Sequence, residues 1–178
     1  MKKNNKRYKP PKGAGKKALS EHAAHRADFI RDKYDLGSPA VISRELLDVM
    51  LSDSDVARFP VQLSFSLNIE EGLFGICQKR TEDPTHGYNL VLHSGFQSMG
   101  DKLAFLAFYL LVRVNYGEFA TFKEAEIFTA CILGMPVDEY YQILCDLVDS
   151  TIQPNPSIST GCECSGGGEK TFCPHSES

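Results

Sequence analysis

No stretch of this chain is apolar for long enough to cross a membrane. The longest apolar run, Leu103 to Val112, has ten residues, where a spanning helix needs about 20. No secretory leader pattern is read either. Such a leader sets about 7–15 apolar residues behind its positive region, whereas here the basic stretch ending at Lys17 runs into Ala18-Leu19-Ser20-Glu21. Together these absences predict a cytoplasmic protein. Catalytic signatures are scarce as well. Gly13-Ala14-Gly15-Lys16-Lys17 lacks the preceding strand and the spacing of a phosphate-binding loop. His86 and His93 have no Cys or Ser partner at a recognisable spacing, so a hydrolytic triad has no support. His22 and His25 stand three apart beside Glu21 and Asp28 and read as a solvated helix face. An enzyme is therefore not the leading expectation. It would need a deep pocket with polar groups converging around His93, Glu70 or Glu71.

Acid is missing from the first 17 residues, which carry 8 of the 19 bases: Lys2, Lys3, Lys6, Arg7, Lys9, Lys12, Lys16 and Lys17. The other 161 residues are left with 11 bases against 23 acids, a net of −12. A cationic arm over residues 1–18 thus precedes an acidic body. Such an arm can seek nucleic acid, the ribosome or an anionic membrane surface. It can equally serve only to solubilise a disordered terminus or to lie on its own acidic body.

Residues 19–150 read as one α+β domain. The first helix is expected from Ser20, a good N-cap, to Tyr34, with Ala23, Ala27, Ile30 and Tyr34 on its inner face. Ser38-Pro39 offers a start for a second helix that turns Ile42, Leu46, Leu47 and Met50 inward. Val61, Leu63, Phe65, Leu67 and Ile69 alternate with polar residues, the mark of a strand with one buried and one wet face. Leu73 to Lys79 and Tyr88 to His93 read as two further strands, and the short connections predict an antiparallel meander. Three helices follow. Leu103 to Val114 is apolar except at Arg113 and should be central; Thr121 with Glu124 forms a capping box; Gly134 and Pro136 separate the last two. The Ala130–Leu144 stretch is similar to a helix-turn-helix. Its second helix nevertheless carries Asp138 and Glu139 and no base, so it reads as a packed hairpin and not a DNA reader.

Cys77, Cys131 and Cys145 sit among apolar residues and read as small hydrophobes. The other three cysteines lie past a proline-bearing linker at 151–161, in a tail at 162–178. Cys162, Cys164, Cys173 and His175 fall within 14 positions, in a segment too short to bury a core. Three thiolates and one imidazole form an established structural Zn2+ set. A single short cluster ending in His is more typical of zinc than of an iron–sulfur centre. The stretch resembles the SEC-C motif, the zinc-binding tail of the preprotein translocase ATPase and of other bacterial proteins. Cys162 and Cys164 match its first pair, Ser165 to Phe172 its eight-residue spacer and Cys173 its third ligand; His175 stands one place late, behind Pro174. The resemblance implies a zinc knuckle that contacts a protein partner or the ribosome. The whole chain reads as a non-enzymatic adaptor, with nucleic-acid binding through the basic arm as the alternative.

Overall fold

The computed structural model describes residues 14–70 and 72–151, which hold five α-helices and one three-stranded sheet. The order is α1 (Ala14–Tyr34), α2 (Arg44–Ser52), β1 (Val61–Ser66), β2 (Gly75–Lys79), β3 (Tyr88–His93), α3 (Leu103–Tyr116), α4 (Phe122–Leu133) and α5 (Val137–Thr151). The α+β class expected from the sequence is the one observed.

The sheet is mixed and not an antiparallel meander. Its order is β1-β3-β2. β1 pairs in parallel with β3, Val61 opposite Tyr88 through Ser66 opposite His93, and β2 pairs antiparallel with β3, Gly75 opposite Leu92. Parallel neighbours need a long crossover, and here β2 with its flanking turns supplies it. β3 takes the middle because it buries most: Leu90 and Leu92 are fully buried. Tyr88, Leu90 and Leu92 share their face with Val61, Leu63 and Phe65 of β1 and with Gly75 and Cys77 of β2. The opposite face is wet. There Arg80 donates to Asn89 Oδ1 at 3.0 Å and to Gln62 Oε1 at 3.2 Å, tying all three strands together.

Helix α3 lies under the apolar face and is buried at nine of its 14 positions, which makes it the centre of the molecule. α4 packs on α3, and α1 and α5 pack on α4. α1 turns Ala23, Ala27 and Ile30 inward, all fully buried, as its spacing predicts. α5 is anchored by Tyr140, whose hydroxyl donates to the Phe105 carbonyl at 2.9 Å while its ring stacks on that of Phe105.

Two helix starts differ from expectation. α1 begins at Ala14, so Lys16 and Lys17 stand on its exposed first turns and not in an arm. Ser20 is mid-helix; its hydroxyl contacts the Lys16 carbonyl and donates to Glu124 Oε1 at 2.8 Å. α2 is capped by Ser43, which accepts from the Leu46 N–H at 3.2 Å. Ser38 is held instead against α4, donating to the Gly134 carbonyl at 2.7 Å. The Thr121–Glu124 capping box forms as read.

Candidate functional site

Helix α3 and strand β2 part at the free edge of the sheet and leave a groove of about 900 Å³. That volume lies within the range of ligand sites. One wall is the 72–77 segment, the floor is α3 from Tyr109 to Arg113, and the far wall is the start of α4 at Ala120, Thr121, Phe122 and Ala125. Gly75 makes the wall thin. A Cβ there would lie 2.8 Å from the Val91 carbonyl oxygen and from the Leu92 side chain, and 3.1 Å from that of Leu110, so a side chain would crowd β3 first and α3 next. Phe74 packs edge-on against Tyr109 with ring centroids 5.5 Å apart. Leu73 and Phe122 line the mouth and stay 41% and 78% exposed. Large apolar side chains gathered on one exposed rim mark a contact surface.

The backbone of β2 adds a second property. The Arg80 N–H donates to the Gly87 carbonyl at 3.0 Å, and the Phe74 carbonyl accepts from the His93 N–H at 2.9 Å. Both pairs continue the register of Gly75 with Leu92. In an antiparallel ladder, residues alternate between turning both backbone groups to the partner and turning both away. Residues 74, 76, 78 and 80 therefore face β3. Gly75, Cys77 and Lys79 turn N–H and C=O outward, where no described strand lies.

The ionisable groups of the groove are mostly held neutral. Burial pushes the Cys77 thiol up to about 11, with Arg113 pulling it partly back. Burial, aided by Glu126 and Tyr141, raises the Tyr109 phenol to about 12. Arg113 is the one charged side chain in the lining, and it forms no ion pair with any described residue.

Other titratable groups are already engaged. His93 Nδ1 accepts from the Gly95 N–H at 3.2 Å and caps a short helical turn, and neither His93 nor Glu70 lines the groove. His22 Nδ1 and the Tyr116 hydroxyl share a hydrogen bond at 3.0 Å, while His25 faces solvent. A shallow cleft beside Tyr34 is saturated. Asp53 accepts from Lys33 and from the Tyr34 hydroxyl, each at 2.6 Å, and from the Asp55 N–H at 2.8 Å. The Lys33 bond, then that of Tyr34, holds its carboxyl down at about 2. Among the described residues no three His, Cys, Asp or Glu side chains gather as a metal site, and no helix is long and apolar enough to span a membrane.

The expected zinc ligands Cys162, Cys164, Cys173 and His175 lie outside the described residues, as do Lys2, Lys3, Lys6, Arg7, Lys9, Lys12 and Glu71. Lys16 and Lys17 are exposed, and Lys17 pairs with Glu21 at 3.6 Å. Sequence reasoning missed the groove. Its one signal was Arg113, the sole polar residue in the Leu103–Val114 run. Comparison of the chain with protein-family models, with curated proteins and with solved structures finds no match.

Proposed function

We propose that this chain is a non-catalytic interaction protein whose helical and sheet domain holds an extended segment of a partner protein along β2. The observation that carries this reading is the outward-turned backbone of Gly75, Cys77 and Lys79 over an apolar groove. An extended peptide added to a sheet edge gains main-chain hydrogen bonds there, and alternate side chains drop into the groove beside it. A thiol and a phenol held neutral supply apolar surface and no nucleophile. The test is to pan a displayed library of random peptides on the full chain and on Lys79→Pro. That proline removes an outward N–H and leaves every bond to β3 in place. Peptides selected by the parent and lost on the variant support the reading; peptides that bind both equally refute it.

In the same proposal the tail is a second contact. Cys162, Cys164, Cys173 and His175 would hold structural Zn2+, whose coordination energy orders a segment that has no core of its own. Elemental analysis of the purified chain should find one zinc, lost in Cys173→Ser; a zinc-free chain sinks this part. The basic residues from Lys2 to Lys17 would add attraction to RNA or the ribosome. Binding of a random-sequence RNA should then weaken steeply with salt, and it should vanish when residues 2–12 are deleted.

A further inference from the structure

Resting on that reading of the groove, we propose that the segment bound along β2 carries a carboxylate side chain, which Arg113 receives beside Cys77. Four observations converge on it. Arg113 is exposed, lines the groove, and has no acidic partner among the described residues. It lies near enough to Cys77 for its charge to favour the thiolate. The rest of the lining is apolar or held neutral, so no other charge in the groove competes with this cation for a carboxylate. Finally, outward N–H and C=O groups recur together on alternate residues, a repeat of about 6.6 Å that an extended peptide answers with its own paired donors and acceptors, whereas a free anion or a phosphodiester backbone has no N–H to give the carbonyls.

Charge also narrows the occupants. The chain's own first 17 residues are basic without exception among their charged members, and Arg113 would repel them. A second copy paired edge to edge through β2 would bring two Arg113 guanidiniums into one groove. An apolar segment with one acidic residue opposite Cys77 satisfies both the rim and the cation. The carboxylate accepts from the guanidinium, the peptide backbone pairs with Gly75, Cys77 and Lys79, and its apolar neighbours cover Leu73 and Phe122.

The probes are fluorescent peptides of alternating valine and threonine that differ only in a central Glu, Gln or Lys, titrated by anisotropy into the full chain. The Glu peptide should bind roughly fivefold or more tightly than the Lys peptide. Arg113→Gln should erase the difference and Arg113→Glu should reverse it, with thermal melts confirming that both variants fold. If the three peptides bind alike and Lys79→Pro still abolishes binding, the edge holds peptide without reading a carboxylate and the inference is overturned alone. If none binds, or if Lys79→Pro changes nothing, the underlying reading falls with it. A dimer in sedimentation that Lys79→Pro dissociates assigns the edge to a second copy and overturns the inference too.

Discussion

Replacing Glu124 with Gln isolates the contact that docks α1 onto the start of α4. Glu124 is 3% exposed. Its carboxylate accepts from the Thr121 N–H at 2.8 Å, from the Thr121 hydroxyl, and from the Ser20 hydroxyl at 2.8 Å across the helix pair. Burial alone pushes this carboxyl up; the Thr121 and Ser20 bonds outweigh it and bring the group from 4.5 down to about 2. Because the folded value is the lower one, the native state stays ionised where the unfolded chain takes up a proton. The contact therefore stabilises fully above pH 4.5, and its contribution is lost as pH falls through about 2. A depression of that size sets an upper bound of about 3 kcal/mol. Gln keeps the shape and one acceptor but trades charge-assisted bonds for neutral ones about half as strong. The expected loss at neutral pH is about 1.5 kcal/mol, a fall in Tm of about 5 °C for a domain of this size. Urea unfolding followed by far-UV circular dichroism measures it. The gap between parent and variant should shrink on acidification towards about pH 2, which cancels the effect of every other carboxylate. A gap that is the same at both ends of the pH range, or no gap at all, would refute the assignment of this stability to the charged group.

Three further outcomes follow from the same geometry. Gly134→Ala should destabilise by about 2 kcal/mol or more in urea unfolding, since a left-handed backbone and a close approach both resist a side chain; Gly134 has φ +68°, and a Cβ would lie 2.3 Å from Ser38 Oγ. Prolines at adjacent β2 positions should differ: Gln78→Pro removes an N–H that faces β3 and should cost about 2 kcal/mol more than Lys79→Pro, whose N–H faces the open edge. A larger loss at Lys79 than at Gln78 would show that the ladder alternates the other way. With its thiol pushed up to about 11, Cys77 should be almost wholly protonated at neutral pH and alkylate far more slowly than a free cysteine. Its rate, read by peptide mass mapping, should keep rising about tenfold per pH unit towards about pH 11, past the point near 9 where an ordinary thiol levels off.

Elements set by local patterning were legible in the residues. The 2-residue alternation around Leu63 gave β1 as far as Ser66, with the expected Leu67 and Ile69 lying beyond the strand and Leu67 exposed; the Thr121–Glu124 pair gave the start of α4, and the unbroken apolar stretch from Leu103 gave the central helix. The two misread helix starts share a cause: each serine is held by a partner far along the chain. Ser20 looks like an N-cap, yet its hydroxyl is taken by Glu124, 104 residues away. Ser38 looks like another, yet it serves the end of α4, 96 residues away. Side chains that bond locally in one setting bond across the fold in another, and composition does not tell the two apart.

Strand order was hidden for a related reason. A step to the next strand covers about 4.8 Å and a step past one strand about 10 Å, and the eight-residue link from β1 to β2 spans either. Loop length therefore admits both a meander and the observed β1-β3-β2 order. What separates them is burial: Leu90 and Leu92 of β3 are fully buried, whereas Val61, Leu63 and Phe65 of β1 are only half-buried, so β3 gains most from the centre. Once β3 is central, β2 must be an edge, and an edge strand offers free backbone groups. The groove exists because that edge overhangs α3 where Tyr109 and Arg113 surface. Its lining residues come from three separate stretches of chain, none of which looks like a motif. The candidate site is thus a consequence of strand order, which is why a reading confined to local patterns found the frame and missed the groove.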